Sequence, residues 1–285
     1  CRTHPADSSR HAVTRAGVVV LAAVLGAAAA APAIGDQPDL AEVITAGGAD
    51  PASATLLIVR LSDGATWVSN PARANRRYPP ASTSKIVHTL IAIETGYARP
   101  DSAFEWDGTV RFVDAWNRDQ TLASAFAVSA VWVYQRITAD LGHATMAEWL
   151  EHLDYGNQYI GGETDLTTYW LKGPLAISAR EQIDFLTRLA TDDLPLAAAT
   201  LAAAKPIMVA DSGEGWTLYA KTGWRLDPDN ADLGWYVGWL ELAGASPDSW
   251  VFAFNLDMNS EADVAKRRPI VREALRQVGA LPDPR

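Results

Sequence analysis

The sequence predicts an α+β fold: one antiparallel sheet built from N- and C-terminal strands and flanked by helices, with a mainly helical second lobe between them. Three observations carry this. ATLLIVRLSDGATWVSN, near the N-terminus, is two β-rich runs around the turn residues Ser62-Asp63-Gly64. From Ser82 to about Ala204 the apolar residues recur at helical spacing. After that, GWTLYAKTGWR, LGWYVGWLEL and WVFAFNLDM are aromatic-rich strand runs parted by the turn segments LDPDNAD and AGASPDS.

Each element has its own local signal. Behind DQPD, the residues Leu40, Val43 and Ile44 mark one face of a short helix. PPASTSKIVHTL opens an apolar helical run that stops at Gly96. TLASAFAVSAVWVYQRITADLG reads as one helical run, ending in the same way at Gly142. MAEWLEHLDYG and SAREQIDFLTRLA are shorter amphipathic runs, and Ser178 with Glu181 three residues on forms a capping box for the second. A final helix from about Glu261 to Val278 closes the chain.

The first residues are unlike the rest. Arg10, His11 and Arg15 precede AGVVVLAAVLGAAAAA, and the small-residue APA of Ala31 to Ala33 follows. This pattern predicts a secretory signal peptide over 1–33 and a mature domain over 34–285, its helical lobe at roughly 98–200. The apolar run is short, alanine-rich and lacks a basic stop-transfer cluster, which argues against a membrane anchor. The expected location is therefore the periplasm or the extracellular space, with no stable membrane association after cleavage. A chain opening on Cys rather than Met suggests a reading begun upstream of the true start.

Composition narrows the function classes. Of 285 residues, 20% are charged, and the net charge is −10 with no basic stripe, so nucleic acid and anionic membranes are poor partners. The single cysteine, Cys1, lies ahead of the leader, which leaves the mature chain without disulfide, zinc–thiolate or thiol chemistry. None of the five histidines has a paired metal-ligand spacing, and His88 is expected to face the core or the second lobe. LDPDNAD lacks the spacing of a calcium loop and reads as a solvated turn.

Four stretches carry chemistry together. Ser82 and Lys85 open a helix three residues apart and so share one face. A serine hydroxyl needs an adjacent base, and a lysine becomes one when burial strips its charge. Ser129-Ala130-Val131 lies inside a helical run, Tyr155-Gly156-Asn157 just after a helix, and Lys221-Thr222-Gly223 on a strand. Singly, a helix-start serine is a cap and a lysine a solvated residue. In this order and context, the set is the signature of the penicillin-recognising serine enzymes.

The chain resembles a class D, oxacillinase-type β-lactamase over essentially the whole mature region. PASTSKI, IETG, WDG, WNRDQTL, SAVWVYQ, YGNQYIGG, WLKGPLAIS, EQIDFL, KTGW, YVGW and FAFNLDM all fall in the family's order. YGN and the Ser-x-Val stretch separate this class from its relatives. Ala130 and Val131 exclude the Ser-Asp-Asn of class A enzymes.

The resemblance implies hydrolysis of β-lactam antibiotics by a serine acyl-enzyme route, with a small-molecule β-lactam as partner and no metal or separate cofactor. Ser82 is implied as nucleophile. Lys85, carboxylated by carbon dioxide, is implied as general base for acylation and deacylation. Trp170 would donate its indole N–H to that carbamate, and Val131 would form part of its dry wall. Ser129 would relay a proton to the departing nitrogen, and Lys221 would steer the substrate carboxylate. Thr222, Gly223, Arg267, Tyr155 and Asn157 complete the implied substrate site, with YGN mostly structural. The register of Arg267 is open by one residue, because Lys266 and Arg268 flank it. The backbone N–H groups of Ser82 and Trp224 would form the oxyanion hole. Trp116 and Trp132 are expected near the cleft. Two alternatives share the site: a β-lactam-sensing domain that acylates without turnover, and a cell-wall transpeptidase. Oligomeric state and substrate range are not readable.

Overall fold

The computed structural model describes residues 38–244 and 247–282, so the predicted leader over 1–33 lies outside the described residues. Helix α1 (Leu40–Ala46) starts at Asp39, whose carboxylate accepts from the Ala41 N–H. β1 (Ala54–Arg60) and β2 (Thr66–Val68) form the expected hairpin, with Ile58 opposite Trp67. The single-turn α2 (Pro71–Ala74) leads to a tight 3₁₀ turn, Ala81–Ser84, that runs straight into α3 (Lys85–Glu94).

A two-residue pair, β3 (Ala103–Phe104) with β4 (Gln120–Thr121), precedes the helical stretch. That stretch comprises α4 (Leu122–Val128), α5 (Val131–Leu141), α6 (His143–His152), α7 (Tyr169–Lys172), α8 (Ala179–Ala190) and α9 (Ala198–Ala204). The chain returns to strand in β5 (Val209–Gly213), β6 (Trp216–Arg225), β7 (Asp232–Leu242) and β8 (Asp248–Met258), and ends in α10 (Ala262–Gln277).

The six long-sheet strands lie in the order β2-β1-β8-β7-β6-β5, every neighbouring pair antiparallel. β1 is thus zipped to β8, from Ala54 opposite Leu256 to Arg60 opposite Trp250. The two-residue side-chain period sends alternate positions to opposite faces. Leu56, Ile58, Phe252 and Phe254 pack with Ile270, Val271 and Leu275 of α10. Leu57, Trp235, Val237 and Trp239 face α3, α5 and α8. With both faces covered, β7 buries eight residues in succession. Each large side chain so enclosed contributes about 1.5–3 kcal/mol.

One expected element is corrected. Residues 121–142 are not a single helix: Ser129 takes a left-handed conformation, φ 61° and ψ 35°, and Ala130 is extended. The Ala130 N–H closes on Ala125 O at 2.8 Å, so α4 ends in a left-handed cap that usually falls to glycine. The apolar pattern hides the break because Phe126 before it and Val133 after it enter the same core. Elsewhere the local signals hold. Gly96 has φ 72° past the end of α3, and the Ser178 side chain accepts from Glu181 N at the start of α8. Among the described residues no helix is long and apolar enough to cross a membrane.

Candidate active site

The 3₁₀ turn is held by its own hydroxyls. Thr83 Oγ1 donates to Pro80 O and Ser84 Oγ to Ala81 O, each at 2.7 Å. Ala81 sits at φ 48°, a left-handed conformation that costs an alanine free energy and that the surrounding packing enforces. The turn is tethered from the sheet by Trp235 Nε1, which donates to Pro79 O at 3.0 Å, and from α8 by Gln182 Nε2, which donates to Thr83 Oγ1 at 3.1 Å. Ser82 therefore caps nothing, and its side chain is free for another partner.

That partner is Lys85. Its Nζ donates to Ser82 Oγ at 2.9 Å, one helical turn away. Lys85 is fully buried and Ser82 nearly so, at 8% exposure. Burial first, and the positive charge of Lys221 second, hold the Lys85 pKa well below its ordinary value. The ring of Tyr134 lies 5.1 Å from the amine. The site thus disfavours an ammonium and favours a neutral, nucleophilic nitrogen.

A second serine–lysine pair faces the first. The left-handed break between α4 and α5 presents Ser129, and Lys221 Nζ reaches it from β6 at 3.1 Å, also donating to Thr222 O at 3.3 Å. Burial, with Arg268 and then Arg267 nearby, pushes the Lys221 pKa down to about 7. Beyond Tyr219, β6 has no strand partner on the β5 side. Gly223 lets this segment approach the Ser82 turn, because a Cβ there would lie 3.0 Å from Pro80 O and 3.1 Å from Thr83 Cγ2.

Behind Lys85 lies an aromatic cluster. Trp170, on α7, is fully buried, and its Nε1–H has no acceptor among the described residues. Its ring stands edge-on to His88, centroids 4.8 Å apart. His88 Nε2 pairs with the Tyr169 hydroxyl at 2.7 Å, while its Nδ1 is buried without a partner. Burial, then the charge of Lys85, lowers the His88 pKa to about 3, so the ring is neutral.

The family model for the penicillin binding protein transpeptidase domain matches residues 59–276. Beta-lactamase OXA-15 of Pseudomonas aeruginosa is 41% identical over 225 residues, 78% of this chain and 78% of that protein. The probable beta-lactamase YbxI of Bacillus subtilis is 37% identical over 228 residues, 80% of this chain and 81% of its own length. Among solved structures, the class D beta-lactamase FUS-1 (OXA-85) from Fusobacterium nucleatum superposes with a TM-score of 0.80 at 34% identity, covering 87% of this chain and 100% of that one. The class D beta-lactamase YbXI from Nostoc gives 0.81 at 32% identity, covering 86% and 100%.

This chain belongs to the class D β-lactamases. Against that family, the remaining residues singled out in the sequence fall into three groups. Thr222 is half-buried beside Lys221 on the same strand, and Trp224 is 36% exposed, its indole donating to Asp232 Oδ2 at 2.7 Å. Val131 is half-buried in the first turn of α5.

Tyr155 and Asn157, expected in a mostly structural YGN turn of the substrate site, spend their side chains on the protein's own interior and main chain. Tyr155 is fully buried edge-on to Phe185. The Asn157 amide is spent on main chain, donating to Pro174 O and accepting from Ala176 N, both at 2.9 Å. Gly156, at φ 60°, admits this turn, since a Cβ would lie 2.5 Å from Ala176 O.

Arg267, the implied carboxylate-binding arginine, lies in α10 against the Lys221-Thr222-Gly223 strand, and its fork is largely occupied. Nε donates to Val264 O at 3.0 Å, and Nη1 donates to Gly223 O and, at 3.4 Å, to Trp235 O. Burial lowers its pKa to about 10. Its neighbour Arg268 is exposed and lines a cavity of about 170 Å³ together with Phe126, Lys221 and Thr222.

Sequence reasoning did not assign Arg268, Phe126, Tyr134 or Gln182 to the site. Only Arg268 carried a local signal, as the alternative register for Arg267. The others arrive from α4, α5 and α8 through tertiary packing. Trp116 and Trp132 interlock: Trp132 Nε1 donates to Trp116 O at 3.0 Å, and Trp116 Nε1 to Val128 O at 2.8 Å, next to Ser129.

Proposed function

We propose that this chain hydrolyses β-lactam antibiotics through an acyl-enzyme on Ser82, with Lys85 carboxylated by carbon dioxide. The observation that carries the reading is the 2.9 Å contact between a wholly buried lysine, with no carboxylate beside it among the described residues, and a serine on the same turn. The residues fit the added group. A neutral amine is the form that attacks carbon dioxide: the C–N bond forms, one C=O electron pair moves to oxygen, and the displaced amine proton leaves to solvent. Trp170 offers the product a buried N–H without another acceptor. When bound, the carbamate supplies an anionic oxygen base for the Ser82 proton and then for the hydrolytic water.

The rest follows from the chain's own side chains. Ser82 Oγ attacks the lactam carbonyl, and the carbonyl oxygen accepts from the backbone N–H groups of Ser82 and Trp224. Losing one such donor costs about 10²–10³ in rate. The C–N bond of the ring breaks, and the departing nitrogen takes its proton from Ser129. Lys221, whose pKa is about 7, restores that proton through its contact with Ser129. Thr222, Lys221 and an arginine fork of α10 hold the substrate carboxylate. Val131 and Trp170 keep the base dry, and Tyr155 and Asn157 brace the site from behind. Export follows from the leader pattern over 1–33, and N-terminal sequencing of secreted protein would start at Ile34.

The test is steady-state hydrolysis of a penicillin in carbon-dioxide-depleted buffer, followed by added bicarbonate. Activity falls on depletion and returns on addition. Full activity without carbon dioxide, or no rescue, overturns the carboxylated base. A chromogenic cephalosporin assay separates turnover from sensing: many equivalents of product mark an enzyme, a single equivalent a sensor.

A further inference from the structure

The cluster behind Lys85 holds more hydrogen-bond donors than acceptors. The Tyr134 hydroxyl is paired with Thr89 Oγ1 at 2.8 Å and is satisfied. The Tyr169 hydroxyl and His88 Nε2 share one proton across 2.7 Å. Among the described residues Trp170 Nε1–H has no acceptor, and His88 Nδ1 has no partner. Two tautomers are open to a neutral imidazole. If Nε2–H donates to Tyr169, the phenol proton and the Nδ1 lone pair are both stranded. If Tyr169 donates to Nε2, only the Nδ1–H is stranded. The second arrangement leaves fewer buried groups unsatisfied and is favoured. His88 then presents an N–H donor, as Trp170 does.

These two donors and the Lys85 amine occupy one neighbourhood. His88 is three residues after Lys85 and so on the same side of α3. The Tyr134 ring borders both, 5.1 Å from Lys85 Nζ and 6.3 Å, centroid to centroid, from the imidazole. His88 in turn lies edge-on to Trp170. Two unsatisfied N–H groups in the cluster that borders this amine suit a planar anion with two oxygen acceptors. They do not suit an ammonium, which brings only more donors.

We propose that His88 is a positioning residue for a carbamate on Lys85, its Nδ1–H and the Trp170 Nε1–H together holding the carbamate oxygens. This rests on the carboxylated-lysine reading given above. Tyr169 acts one step further out, by fixing the imidazole tautomer.

The experiment is a titration of the full chain with ¹³C-bicarbonate, read by the NMR signal of the protein-bound carbamate carbon, with Tm recorded for each variant. In wild type the signal appears, and Lys85→Ala abolishes it. Absence of the signal in wild type overturns the carboxylation reading itself. With the signal present, His88→Leu raises the bicarbonate concentration for half-occupancy by at least about tenfold, the loss of one hydrogen bond to a charged group. His88→Asn, which keeps an N–H near the Nδ1 position, stays close to wild type. Tyr169→Phe removes one oxygen and keeps the ring, and it produces a smaller rise. A role in packing alone would lower Tm and leave the bicarbonate midpoint unmoved, which overturns the proposal. Should His88→Leu fail to fold, an unchanged midpoint in Tyr169→Phe overturns it equally.

Discussion

Replacing Lys221 by Met should make the protein more stable while removing its activity. Lys221 is 5% exposed, has no carboxylate partner among the described residues and stands near two arginines. Its pKa falls from 10.5 to about 7. At about 1.4 kcal/mol per pH unit, that fall sets a ceiling of about 4–5 kcal/mol on what the charge costs at pH 7. Met loses the hydrogen bonds to Ser129 and Thr222, each worth about 1 kcal/mol. A net gain of about 2–3 kcal/mol remains, which raises Tm by roughly 5–10 °C in a domain of this size.

The pH dependence has a definite sign. Between pH 7 and 10.5 the unfolded chain binds more protons at this lysine than the folded one, so wild-type stability rises with pH through that window. Below pH 7 the penalty is fully present, and above 10.5 it vanishes. Lys221→Met loses this slope, and its advantage over wild type shrinks as pH rises. The assay is urea unfolding of both proteins at several pH values in carbon-dioxide-free buffer, because Lys85 titrates against Lys221. A Lys221→Met protein equal to or less stable than wild type at pH 7, or an advantage that does not change with pH, would refute the reasoning.

Gly156→Ala places a methyl against the Ala176 carbonyl in a left-handed residue, and should cost about 2–3 kcal/mol by chemical unfolding. The two arginines of α10 separate by readout. Arg268→Ala should raise KM for a penicillin about tenfold and leave KM for its methyl ester unchanged, with Tm constant, through loss of a charge-assisted contact. Arg267→Ala should lower Tm as well, by about 1–3 kcal/mol of stability, because the Gly223 and Trp235 carbonyls lose their donor.

Local chemistry makes much of this protein legible in its sequence. The hairpin, the capping box at Ser178, the stop at Gly96 and the strand bearing Lys221-Thr222-Gly223 each rest on residues within a few positions of one another. So does the Ser82–Lys85 contact, since a helical turn brings residues three apart together. The break at Ser129 was not legible: no glycine marks it, and both flanking helices bury apolar residues in one core. Nor was the state of the two lysines, because a side chain's charge depends on what encloses it. Tyr134 and Trp170 come from α5 and α7 to enclose the side of α3 that bears Lys85 and His88, and the turn of α10 between neighbouring residues leaves Arg267 buried against β6 and β7 while Arg268 faces the cavity. Sequence neighbours set which groups are present and which turns carry them; packing between distant segments set their dielectric surroundings, and with these their protonation and their reach.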